Sequence, residues 1–430
     1  MILLLAVLAG TVYVSLVWLL ARNFMVAWIC VLVGTCLNFA FGTDAILLGK
    51  IHINPLDLLY FCLLPAGIVR LRFQELKLST LNVLVGGYLF LFGLSAVRGL
   101  AAFDITTVGT EGRGLIGEVL ALIYFTTIPH DRKIVKKVVI AQIVFSAALV
   151  LIACLHYAGF PIGGTVGVTN GQQVIEGGID RGVPAGAAAS IELSMLFAAS
   201  WVVYRNHSRW LHWLIGVFVA AVVVLQHRTV WVMFVVTLAA AFLIDARITR
   251  YLWKIGGAVA ILACIVLFSF IGLRTQLVGE LQDSATNTNT LQWRIEGWER
   301  SFSDDQSPLT VLIGFPIGSG YLRLDSAASG YIDAQPHNEI VNQYLRVGVF
   351  GTILLILFTV RPIYIYFREP DSGSLLYPTP ASWVLVTIGV IVFGFPYSYS
   401  LEIFALVAMA NGLIDAADEG ALNRSRSLQP

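Results

Sequence analysis

Apolar runs dominate this chain, recurring near 2–20, 24–42, 55–69, 80–97, 114–129, 138–156, 183–204, 211–226, 228–244, 255–273, 339–360, 380–397 and 400–417. A helix crossing about 30 Å of hydrocarbon needs about 20 such residues, and lipid offers no partner for backbone N–H and C=O groups, so each run must satisfy its own as a helix. The runs at 55–69 and 114–129 are short, and the last two fit either two spans or a re-entrant hairpin. Composition agrees: 57% of the 430 residues are hydrophobic and 12% charged, with a mean hydropathy of +0.81, against roughly 25% charged in soluble domains. The expectation is an all-α, polytopic integral membrane protein with about thirteen transmembrane helices. Its parts are ten helices in 1–273, one large loop at 274–338, three helices in 339–417 and a tail at 418–430.

Net charge is +1, and no basic cluster offers a nucleic-acid footprint. The five cysteines lie inside apolar runs, which argues for packing rather than a disulfide framework or metal site. The first run has no basic segment before it and no small-residue cleavage site, so it reads as a spanning helix.

Lys and Arg set the orientation. Seventeen of the 27 fall in one set of alternate loops and the tail, which are therefore cytoplasmic. The segments 98–113, 157–182 and 274–338 then face outward, as do His227 and Arg228 at a tight turn. Of the outer cations all but Lys50 are arginine, whose planar fork binds phosphate bidentately and stays charged when partly desolvated.

At about 65 residues the outer loop ending at Asn338 is far longer than an ordinary connection, and such loops usually carry function. Within it, 290–302 places Trp293, Trp298 and Phe302 among charges, the pattern of a short interfacial helix. The stretch 313–321 is a glycine-rich turn without the Lys-Ser/Thr of a phosphate loop, so it reads as a bend. After Pro336 a helix would place Glu339, Asn342, Gln343 and Arg346 at i, i+3, i+4 and i+7, a polar stripe running into the bilayer. Arg346 either pairs with Glu339 or contacts a phosphate. Gly348 and Gly351 lie deeper, where small residues let another helix approach. Asp57, Glu118 and Glu192 read as makers of interhelical hydrogen bonds, and Asp304-Asp305 as a solvated pair.

His337-Asn338 followed by Gly348 and Gly351 resembles the bacterial O-antigen ligase and O-antigen polymerase superfamily. Arg228 at the outer start of a helix, the Arg294-x-x-x-Trp298 element, and Gly314, Gly318 and Gly320 before the histidine match it in order, over roughly residues 226–351. The resemblance implies a GT-C-like membrane glycosyltransferase that takes glycans from a polyprenyl diphosphate in the bacterial inner membrane, with its site facing the periplasm. Arg346 departs from the family, whose neighbourhood there is often acidic.

Transfer from a lipid diphosphate needs the leaving pyrophosphate's charge stabilised and an acceptor hydroxyl deprotonated. His337, with an unperturbed pKa of about 6.5, suits the second task as catalytic base; Arg228, Arg294 and Arg181 suit the first. Asn338, Glu339, Arg346 and Trp298 are supporting residues. No metal and no cofactor is expected, arginines taking the cation's place, and single displacement with inversion is the simplest course. The implied partners are a polyprenyl-diphosphate-linked glycan donor, a glycan or lipid-linked acceptor, membrane lipids, and polysaccharide export or chain-length proteins. Polymerase is slightly favoured over ligase; a lipid-linked sugar transporter or flippase is the rival from another class.

Overall fold

The computed structural model describes residues 2–41, 46–48, 51–53, 55–73, 79–163, 166–169, 172–175, 182–205, 209–269, 295, 297–299, 302, 306–325, 330–333, 336–369 and 375–427. The 290–302 helix, apart from a few positions, and the Asp304-Asp305 pair lie outside the described residues.

Helices follow the apolar runs in order: α1 (Ile2–Arg22), α2 (Phe24–Phe41), α3 (Pro55–Phe73), α4 (Thr80–Ala102), α5 (Ile105–Gly112), α6 (Ile116–Tyr124) and α7 (Arg132–Tyr157). After these come α8 (Ala185–Tyr204), α9 (Arg209–Val224), α10 (Arg228–Ile244), α11 (Ala246–Ser269), α12 (Pro308–Ile313), α13 (Glu339–Arg368), α14 (Pro380–Gly394) and α15 (Leu401–Ser427). Each of the thirteen runs falls on one of them, while α5 and α12 are short helices of the connections. The all-α expectation holds for the bundle but not for its connections, where three antiparallel hairpins form: β1 (Ile46–Leu48) with β2 (Ile51–Ile53), β3 (Val166–Thr169) with β4 (Gln172–Ile175), and β5 (Leu322–Asp325) with β6 (Gly330–Asp333). Among the described residues α2, α4, α7, α8 and α13 are long and apolar enough to cross a membrane. The chain is a helical membrane protein.

Side-chain placement explains the layering. A helix that is apolar all round must be buried in protein or lipid. Helix α8, mostly small and apolar apart from Glu192 and three serines, is enclosed by its neighbours, α7, α9, α10, α14 and α15 among them, along nearly all its length. Residues 401–414 of α15 are likewise enclosed, packed on α6, α13 and α14. The outer surfaces of α2, α4, α10 and α11 instead present Phe41, Phe90, Leu243 and Trp253 outward. In water that would be an aggregation surface; in a bilayer it is the lipid-facing one.

Arginines close helix ends at one end of the bundle. Arg70 donates to Ala21 O, Thr127 O and Thr127 Oγ1 at 2.9, 2.6 and 2.7 Å, satisfying carbonyls that helix termini leave open. Arg361 ties α13 to α15 through Asp415 at 2.9 Å and Asn411. The opposite end holds the His337 region.

Candidate functional site

Helix α13 begins at Glu339 because Asn338 caps it: the Asn338 side-chain oxygen accepts from Val341 N at 3.1 Å, and Glu339 stands in the first turn. Helical periodicity then places Glu339, Asn342, Gln343 and Arg346 on one face, and all four are buried. Each takes a partner from another part of the chain. Tyr88 of α4 donates to Gln343 Oε1 at 2.7 Å, and Gln343 Nε2 donates to Glu339 Oε1. The other Glu339 oxygen accepts from Tyr399 N at 2.9 Å, in the turn between α14 and α15. Asn342 Oδ1 accepts from Tyr321, whose phenol burial pushes up to about 12, so that it remains a donor.

Arg346 corrects one expectation. Its partner is not Glu339 but Glu111 of α5, at 2.5 Å. Its Nη1 and Nη2 donate to Ser319 Oγ and Gly320 O, both at 2.7 Å, and its plane lies 3.9 Å from the Tyr321 ring centroid. A buried guanidinium needs a counter-charge and filled donors. Sequence-adjacent Glu339 is already held by Gln343 and Tyr399, so the charge comes from a distant helix.

The stripe does not continue as one regular helix. Gly348 has φ 66° and ψ −170°, a left-handed break inside α13. The neighbour that approaches there is α12, not another long helix: a β-carbon on Gly348 would run into the Leu312 and Ile313 backbone. One on Gly351 would meet its own helix's Val347, so that glycine relieves the break rather than admitting a neighbour.

His337 is half-buried with its ring 5.8 Å from that of Tyr397, which stacks on Phe393 of α14 at 5.3 Å. Trp298 meets Phe395 edge-on at 5.7 Å, so the expected supporting tryptophan does reach this turn. Arg228 opens α10, half-buried, behind buried His227, whose Nε2 lies 2.8 Å from Val183 O just ahead of α8. From there α8 leads back to the His337 side: a side chain at Gly186 would touch Ser400 Oγ, and Ser400 donates to Glu402 at 2.6 Å. His337, Asn338, Glu339, Trp298 and Arg228 thus gather at one end of the bundle. Arg181 and Arg294 lie outside the described residues.

Of the three other carboxylates, Glu192 accepts from Thr237 of α10 at 2.9 Å, between helices as expected, while Asp57 pairs with Arg113 in the turn after α5 at 2.7 Å. Glu118 is the correction: among the described residues neither of its oxygens has a hydrogen-bond partner. It lies fully buried within electrostatic reach of Glu339. Sequence reasoning also passed over Tyr88, Glu111, Tyr397, Tyr399 and Glu402. Phe395-Pro396-Tyr397, at the end of the 380–397 run, was a readable turn signal for part of this set; Glu111 had none.

Fold and site together define a multi-pass helical membrane protein with a polar, aromatic-rimmed site at one end of its bundle. Comparison with protein-family models and with the sequences of characterised proteins found no match.

Proposed function

We propose that the chain is a GT-C-like glycosyltransferase of the bacterial inner membrane, with about thirteen spans and the His337 end facing the periplasm. It moves a glycan from a polyprenyl diphosphate to a hydroxyl acceptor in surface-polysaccharide synthesis, as a polymerase slightly ahead of a ligase. His337 takes the acceptor's proton, Arg228 steadies the departing diphosphate together with Arg294 and Arg181, and the product is inverted in a single displacement. The observation that supports this reading is that the Arg228 turn and the His337 region both border the start of α8 and the α14–α15 turn. A titratable imidazole and a guanidinium at the mouth of an apolar bundle suit a substrate that is half lipid and half sugar diphosphate.

Glycan transfer by the detergent-purified protein from a polyprenyl-diphosphate oligosaccharide tests it. Activity that survives EDTA and is lost in His337→Ala and Arg228→Ala supports the reading, and adding a lipid A-core acceptor separates ligase from polymerase. Full activity in His337→Ala removes the base.

A transport reading has one observation in its favour: a helix broken at Gly348 in a bundle that also buries the carboxylates Glu118, Glu339 and Glu402, features that transporters use. Absence of turnover by folded wild type, with donor movement across vesicles, would select it.

A further inference from the structure

Gly318 and Gly320 have φ values of 103° and 75°, in the left-handed region, and their backbone N–H groups converge. Both donate to a single oxygen, Glu111 Oε2, at 3.0 and 2.8 Å. Converging N–H groups of this kind form an anion-binding nest. Behind it stands the Arg346 guanidinium, locked by Ser319, Gly320 O and the Tyr321 ring. Its Nε is paired with the other carboxylate oxygen, Glu111 Oε1, at 2.5 Å. Three donors therefore converge on one carboxylate, the two glycine N–H groups on one oxygen and the guanidinium on the other.

We propose that this nest is a binding site for a diphosphate group and that Glu111 is its resident stand-in, displaced when the diphosphate arrives. The assignment rests on the reading above for the ligand's identity as the donor's diphosphate, and the nest is a second anion site besides Arg228. A tetrahedral phosphate directs its oxygens out of one plane and can take Gly318 N–H, Gly320 N–H and Arg346 Nε–H together; the guanidinium fork is matched to it. Exposed Ser319 marks the rim through which the ligand enters. Glu111 can leave by rotating its own side chain, because α5 stays anchored where Val108 packs with Leu115 and Ile317. The tethered carboxylate occupies the nest in the resting protein, so apparent affinity is reduced by the fraction of time it stays there. Weakly competing anions are kept out.

The test is calorimetric titration of the full chain in detergent with inorganic pyrophosphate and, separately, farnesyl diphosphate. Glu111→Gln keeps an oxygen for the glycine N–H groups but removes the competing charge, so it is expected to bind at least tenfold tighter than wild type. Arg346→Lys, which keeps the charge but loses the fork, is expected to bind more weakly in either background. Tighter binding of both ligands places a lipid-borne diphosphate in the nest; tighter binding of pyrophosphate alone assigns it to a free anion. Hydrogen exchange on unaltered protein supplies a readout independent of any variant's folding: pyrophosphate is expected to change exchange across 105–113 and 314–321. Equal or weaker binding by Glu111→Gln, no binding by either protein, or exchange changes confined to other segments would show that Glu111 is a fixed strut. No glycan is present, so loss of transfer activity and loss of this site are separate results.

Discussion

The backbone N–H of Phe315 donates to Leu345 O at 2.6 Å, so the loop that follows α12 satisfies a carbonyl that the break in α13 sets free. The Thr352 hydroxyl in addition donates to Gly348 O at 2.8 Å. A non-helical residue inside a membrane helix is tolerated when protein groups replace the lost hydrogen bonds, and here the replacements are specific.

Gly348→Ala is therefore expected to be damaging on two counts. Its φ of 66° is strained for any residue with a β-carbon, and that carbon would meet the α12 backbone. A loss of about 2 kcal/mol or more follows, measured as thermal unfolding in detergent. Gly86→Ala in α4 is the control: nothing lies within 4 Å of its new carbon, and the change should be neutral or stabilising by up to about 1 kcal/mol. Equal effects from the two would refute the break.

Tyr88→Phe removes only the hydroxyl that donates to buried Gln343. Leaving that acceptor unfilled should cost about 1–3 kcal/mol. The loss should shrink when Gln343→Leu removes the acceptor as well, which a double-mutant cycle on unfolding midpoints would reveal.

Glu192→Gln has the opposite expectation. Glu192 is wholly buried on α8 and, among the described residues, one of its oxygens lacks a hydrogen-bond partner while the other takes only the Thr237 hydroxyl. An isosteric amide keeps that acceptor and removes an ionisable group from an apolar setting, so stability should hold or rise. If activity falls while the unfolding midpoint stays put, the carboxylate has a functional role.

Acid should loosen α5. The Thr107 hydroxyl, followed by the Thr107 and Thr106 backbone N–H groups, holds the exposed Asp104 carboxyl below its ordinary value. A carboxylate depressed in the folded state contributes above its unfolded value of about 3.9 and loses that contribution as pH falls through the lower folded value. Exchange protection over 105–112, corrected for intrinsic rate, should drop in that range for wild type. In Asp104→Ala, already uncapped, it should show no such step.

How much of this was readable in the chain depends on distance along it. The stripe Glu339, Asn342, Gln343 and Arg346 was visible because a helix puts such spacing on one face, and the structure buries all four. The ends of α10 and α13 were visible because each follows a polar interruption. The partner of Arg346 was not, since Glu111 of α5 and Arg346 of α13 are far apart in the chain and meet only through its folding. Nor was the break at Gly348: Val347 and Val349 read as continuing helix, and only the arrival of α12 against the backbone shows why a glycine stands there. Glu118 looked like an interhelical bridge because buried carboxylates usually find partners, and among the described residues neither of its oxygens has a hydrogen-bond partner.

The knitting of Phe315 to Leu345 also bears on how the protein is made. The 314–321 turn leaves the ribosome before α13, so the group that will hold the Leu345 carbonyl is synthesised ahead of the helix that needs it. Had the order been reversed, α13 would have to enter hydrocarbon with bare peptide groups, at several kcal/mol each. Biogenesis of the last third is thereby directional: delaying docking of the turn, by a Phe315→Pro change that removes its donor, should leave α13 waiting at the insertion machinery and expose the chain to membrane proteases before it is complete.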